Sequence, residues 1–125
     1  AGIRIICSFT SDIYQIAEMI AAQGDVTVIH VKDYIKNPKP NGYKSYHMVV
    51  TVPVYLTDGP VETKVEIQIR SVAMDFWASL EHQVKYKKNV KDAESVMYEL
   101  RACADVINRT DCHMQSIRDR IVEID

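Results

Sequence analysis

Glycine is scarce in this sequence. There are four in 125 residues, none of them spaced as in a P-loop or a dinucleotide-binding turn. A chain like this that handles phosphates does so with side chains and a metal, not with a backbone cradle. Cysteine is scarcer: Cys7, Cys103 and Cys112 are odd in number and widely separated. That excludes a disulfide scaffold and makes a reducing, cytoplasmic compartment the expectation. Cys112-His113 is adjacent instead of spaced as metal ligands are, and the other Cys and His residues are scattered, which argues against a zinc site. No apolar run reaches membrane length and no stretch reads as a signal peptide, so no membrane partner is expected. Neither sign of charge dominates. Fifteen basic against 17 acidic residues leave −2, which argues against DNA and against bulk nucleic-acid binding.

The balance is uneven along the chain, however. Lys32, Lys36, Lys39 and Lys44 stand in one short stretch, and Lys85, Lys87, Lys88 and Lys91 in a second. An RNA-binding module is therefore kept as an alternative. The length and the 47% hydrophobic content fit one globular domain able to bury roughly two thirds of its surface. Ala1-Gly2 leads straight into a strand with no methionine before it, which reads as a chain whose true N-terminus lies upstream.

Ile3 to Ser8 is an apolar run of strand length, expected to be buried on both faces apart from Arg4. Ser11 or Asp12 is placed to cap a helix with an Ile13, Ile16, Ala17, Ile20 stripe, and Gly24 to end it. Val26 to Val31 reads as a second strand. A hairpin follows, with Tyr46, Met48, Val50, Val52 and Val54 on one face of its first strand and His47, Val49, Thr51 and Pro53 on the other. In its second strand Thr63, Val65, Ile67 and Ile69 oppose Lys64, Glu66, Gln68 and Arg70. A turn at Asp58-Gly59 sets His47 opposite Arg70 and Thr51 opposite Glu66. The parity is firmer than the turn, because a slip of one residue would turn the polar row into the core. Ser71 caps the next helix, whose packing stripe is read as Ala73, Phe76, Trp77, Leu80 and Val84, with Glu81 and Lys85 an exposed pair. Apolar spacing from Ala93 to Ile124 allows one long helix or two. The fold class is α/β (α+β): a mixed, mostly antiparallel sheet flanked by helices, with C-terminal helices.

Between the second strand and the hairpin lies Asp33 to Tyr46, in which Pro38, Pro40 and Gly42 make a stiff loop carrying Lys39, Asn41 and Tyr43. Cationic donors beside an aromatic plane suit a nucleotide. Tyr43, its ring expected to be exposed, either stacks on a base or folds back over the sheet edge. Glu66 either holds Mg²⁺ and takes a hydroxyl proton, or pairs with Lys64 or Arg70. Arg4 and Arg70 either clamp phosphate oxygens or make structural ion pairs. His47 either meets a phosphate or hydroxyl or is a satisfied strand histidine. His82 and Lys85 either form a pocket wall or are ordinary exposed helix residues.

The run Lys39-Pro40-Asn41-Gly42-Tyr43-Lys44-Ser45-Tyr46-His47, then Glu66-Ile67-Gln68-Ile69-Arg70, resembles the synthetase domain of the RelA/SpoT family. Ala73 to His82 with Lys85-Tyr86-Lys87 strengthens the likeness, and Asp33 to Pro38 looks like the small alarmone synthetases. The resemblance implies a nucleotidyltransferase-like synthetase domain over residues 1–88 and a helical extension over 89–125 that packs or oligomerises. It implies GTP pyrophosphokinase activity: the β,γ-diphosphate of ATP passes to the 3′-hydroxyl of GDP or GTP, with Mg²⁺. By the same resemblance Tyr43 stacks on guanine and Asn41 lines its pocket. Lys39 and His47 meet acceptor phosphates, and Glu66, assisted by Gln68 and Arg70, serves the metal and the attacking hydroxyl. Arg4 matches an arginine of the first strand motif, and His82 and Lys85 support the site. The family's metal-binding aspartate precedes the position of Ala1, so these residues alone are expected to be inactive or to bind guanine nucleotide weakly. A homotetramer is implied. An inactive guanine-nucleotide sensor is the rival reading.

Overall fold

In the computed structural model, which describes residues 1–87 and 91–124, the elements follow in the order β1 (Gly2–Cys7), α1 (Thr10–Ala21), β2 (Thr27–Asp33), β3 (Tyr46–Leu56), β4 (Gly59–Ser71), α2 (Val72–Tyr86) and α3 (Ala93–Ile124). The boundary expected between residues 88 and 89, and Lys88 itself, lie outside the described residues. Four strands form one sheet in the order β1-β4-β3-β2, with β1 parallel to β4 and the other pairs antiparallel. The mixed, mostly antiparallel α+β architecture read from the pattern is the one observed.

Parity in the hairpin holds, and register differs. His47 faces Gln68, Val49 faces Glu66, and Thr51 faces Lys64, so the expected His47–Arg70 and Thr51–Glu66 pairings do not form. The turn is Thr57-Asp58: Gly59, at φ +115°, is already the first residue of β4 and pairs with Leu56. Moving the turn back by one residue slides every opposed pair by two, which changes neighbours and preserves faces. Met48, Val50, Ile67 and Ile69 accordingly share one face and pack beneath Ile13 and Ala17 of α1.

β1 is not buried on both faces. As an edge strand it leaves Ile3 and Ile6 exposed. Helix α1 begins at Thr10, ahead of both expected caps, Ser11 and Asp12. Phe9 takes the N-cap position, and Asp12, inside the first turn, accepts the Phe9 N–H at 3.3 Å. Ser71 does cap α2, accepting from Met74 N–H at 3.2 Å, and its hydroxyl donates to Asp111 Oδ2 at 2.6 Å. The buried face of α2 is Met74, Trp77, Ala78 and Glu81, rotated from the expected stripe, with Phe76 and Leu80 exposed. α3 is a single helix of 32 residues. Its Leu100 and Ala104 close a second apolar cluster with Tyr43, Trp77 and Ala78. Among the described residues no helix is long and apolar enough to cross a membrane.

Candidate active site

Alternation along β3 and β4 sends His47, Glu66, Gln68 and Arg70 to the sheet face opposite Met48 and Ile67. β1 adds Arg4 beside Gln68. This polar face is the floor of an open cleft of about 590 Å³. Lys39 and Tyr43 of the loop line it from one side, Ser79, Glu81, His82 and Lys85 of α2 from the other, and Arg4, His47, Gln68 and Arg70 from below. Eight of the ten residues singled out from sequence thus surround one space. The other two lie next to it. Asn41 donates to Glu81, which lines the cleft, and Glu66 lines two smaller grooves of about 230 and 210 Å³ that share Gln68 with the cleft.

The Tyr43 ring is not exposed as expected. It is 8% accessible because α3 supplies Leu100 and Ala104 beneath it. Its hydroxyl accepts from Arg70 Nη2 at 2.8 Å and lies 3.0 Å from His47 Nε2. With one proton to give and an arginine already donating to it, the phenol donates to Nε2 and places the histidine proton on Nδ1. Burial, with Arg70 and Lys39 nearby, lowers the His47 pKa to about 4, although Glu66 pulls the other way. His47 is therefore a neutral acceptor at neutral pH.

Arg70 is buried and spends its guanidinium on the protein. Nε donates to Ser45 Oγ at 3.3 Å, Nη1 to Asp75 Oδ1 at 3.1 Å, and Nη2 to Gln68 Oε1 at 2.6 Å as well as to Tyr43. It organises the cleft floor, and the accessible arginine of the cleft is Arg4, whose side chain is 57% exposed and only loosely held by Asp75 at 3.5 Å. The Lys39 ammonium stands 5.0 Å from the centroids of both Tyr34 and Tyr43, over the ring face that a base would need. Glu66 is exposed, on the same face as His47, and among the described residues its carboxylate makes no ion pair. No cluster of three metal-ligating side chains occurs among the described residues. One free carboxylate still suits Mg²⁺, which is commonly held by one or two carboxylates with substrate phosphates and water completing its shell.

Three residues that matter here were not assigned to the site from sequence, and one of them, Glu81, expected to be exposed beside Lys85, is instead buried. Glu81 accepts from Asn41 Nδ2 and pairs with Lys85 at 3.5 Å. Asn41 Oδ1 in turn accepts the Tyr43 N–H at 3.0 Å, so the carboxylate of α2 anchors the loop through one amide. Asp75 gathers Arg4 and Arg70, and Ser45 meets Arg70 from below. The signal for Glu81 was its place at i+7 from Met74 and i+4 from Trp77, on a face otherwise apolar.

A family model described as the region found in RelA / SpoT proteins matches residues 1–91. The chain is 46% identical over 121 residues to the GTP pyrophosphokinase YwaC of Bacillus subtilis (strain 168), an alignment covering 97% of this chain and 58% of that protein. It therefore spans little more than half the length of the curated relative. The fold overlays that of small alarmone synthetase 2 from Bacillus subtilis with a TM-score of 0.90 at 45% identity, covering 95% of this chain and 65% of that one. Small alarmone synthetase 1 from the same organism, bound to its product pppGpp, gives a TM-score of 0.87 at 41% identity, with 94% and 61% covered.

Proposed function

Because the chain belongs to the RelA/SpoT family, we propose that the protein transfers the β,γ-diphosphate of ATP to the 3′-hydroxyl of GDP or GTP, releasing AMP and forming ppGpp or pppGpp. The observation that carries this reading is the convergence on one cleft of a loop tyrosine, a neutral histidine and cationic side chains, with a free carboxylate at its edge. Diphosphate transfer between two polyanions asks for charge neutralisation and in-line placement more than for covalent chemistry.

In this reading guanine enters beside Tyr43, displacing the Lys39 ammonium from the ring toward the acceptor phosphates. Asn41, held by Glu81, keeps the loop backbone in place as the base arrives. His47 donates its Nδ1–H at the phosphate edge of the same nucleotide, and Arg4 serves phosphate oxygens from β1. Glu66 receives the proton of the 3′-hydroxyl, while Gln68, fixed by Arg70, shapes the floor beside it. Glu66 is also the carboxylate placed to hold Mg²⁺, which when bound offsets charge on the transferring diphosphate. His82 and Lys85 form the outer wall. We place the protein in the cytoplasm as a homo-oligomer, tetrameric by resemblance; the exposed Tyr98, Val106, Met114 and Ile121 of α3 support association.

The test is incubation of the full-length protein with ATP, GDP and Mg²⁺ and measurement of AMP. Glu66→Gln should lower the rate by roughly 10²–10⁴-fold, the usual worth of a positioned base. Nucleotide binding without any AMP in the unmodified protein would instead identify a guanine-nucleotide sensor, and AMP formation unchanged in Glu66→Gln would remove that residue from the chemistry.

A further inference from the structure

We propose that Ala104 of α3 is a positioning residue for the nucleotide-binding loop: its methyl is the seat on which Gly42 rests, and it fixes where Lys39, Asn41 and Tyr43 stand. The inference rests on the acceptor-site reading above and extends it to a helix lying beyond the family match, which ends at residue 91.

Two features of Gly42 make the contact exacting. Its φ of +98° is a conformation that side chains resist, and a Cβ built there would come within 2.6 Å of Ala104 Cβ. The loop and helix backbones thus approach as closely as a glycine–alanine pair allows. Ala104 is itself 2% accessible, and the gap beside it, shared with Gly42, Trp77 and Ile107, holds only about 10 Å³, too little for the added methyls of a valine. One turn earlier on α3, the Leu100 carbonyl accepts the Trp77 indole N–H at 2.7 Å, which pins α3 to α2 at the same level.

Three hydrogen bonds tie the loop to itself. Gly42 N–H donates to the Lys39 carbonyl at 2.9 Å, Lys39 N–H to the Tyr43 carbonyl at 3.1 Å, and Tyr43 N–H to Asn41 Oδ1 at 3.0 Å. A displacement imposed at Gly42 therefore carries the three binding residues with it. Larger side chains in a packed site force shifts instead of being absorbed, and misplacement by about 1 Å at a reacting site can cost on the order of 10²-fold.

The experiment compares Ala104→Val and Ala104→Ser in the full-length protein with Ala17→Val, which overpacks the separate cluster beneath the sheet. Amide hydrogen exchange at residues 39–43 is read first. Exchange should accelerate in Ala104→Val, stay near the unmodified level in Ala104→Ser, and be unaffected in Ala17→Val. With ATP and GDP, Ala104→Val should then raise the acceptor KM on the order of tenfold or more while the ATP KM holds. The proposal is overturned if loop exchange is unchanged in Ala104→Val, if Ala17→Val accelerates it equally, or if both KM values rise together. Accelerated exchange confined to Ala104→Val in a protein that binds no guanine nucleotide would uphold the seat and reject the acceptor-site reading. An Ala104→Val protein that fails to fold while Ala17→Val folds leaves Ala104→Cys to make the same comparison with a smaller enlargement.

Discussion

The hydroxyl of Tyr43 stands 3.0 Å from Nε2 of His47, four residues along the chain and on the first strand of the hairpin. Through that oxygen the loop is joined to β3, and through Arg70 to β4. Tyr43→Phe keeps the ring and removes the junction. Its unfolding free energy in urea should fall by about 1–2 kcal/mol, since Arg70 loses an acceptor in a buried place. An unchanged midpoint would mean that the bond is not made in solution.

The depressed His47 sets a pH dependence with a defined sign. The unfolded chain takes up the imidazole proton near pH 6.5 and the folded chain only near 4. Between those values the unfolded state binds more protons, so stability is fully present above pH 6.5 and declines as pH falls toward 4. Unfolding curves across that window should be steeper in pH for the unmodified protein than for His47→Gln. Parallel profiles would show that His47 titrates normally.

Glu81 is a carboxylate taken out of water to hold an amide. Glu81→Ala leaves Asn41 without its acceptor and should cost about 1–3 kcal/mol of stability. Guanine-nucleotide affinity should fall with it, because Asn41 also fixes the Tyr43 amide. Isothermal titration with GDP measures the second effect. Full affinity in a destabilised variant would confine Glu81 to packing.

Ser71 ends β4, caps α2 and donates to Asp111. Ser71→Ala should lower stability by about 1–2 kcal/mol through the lost cap alone. Asp111→Asn should cost less, since the cap survives, and thermal melting of the two variants separates the contributions.

How far these features could be read from sequence depends on the residue. His47, Glu66 and Gln68 were placed on one face because a strand has a period of two, and no register that buries Met48 and Ile67 can turn that row inward. The turn was harder: Asp58-Gly59 followed by Pro60 allows neighbouring placements, and only backbone pairing picks Thr57-Asp58. In α2 two stripes satisfy helical spacing. The one containing Phe76 is more apolar, yet the buried one contains Glu81, because Asn41 arrives from 40 residues away to satisfy it. Tyr43 was expected to be exposed since its cover, Leu100 and Ala104, lies nearly 60 residues downstream, and local pattern carries no record of such a meeting.

Glu66 occupies the outermost rung on which all four strands are present, alongside Gly2, Val49 and His30. Beyond Thr51 and Lys64 the hairpin continues as a ribbon of two strands with no lateral support. Such a ribbon opens locally at little cost, whereas the four-stranded part opens only with the whole domain. Glu66 is thus held by backbone pairing on both sides, with the three-stranded rungs of Val65 and Lys64 standing between its carboxylate and the more yielding ribbon, so that fraying of the hairpin tip is absorbed before it reaches the cleft.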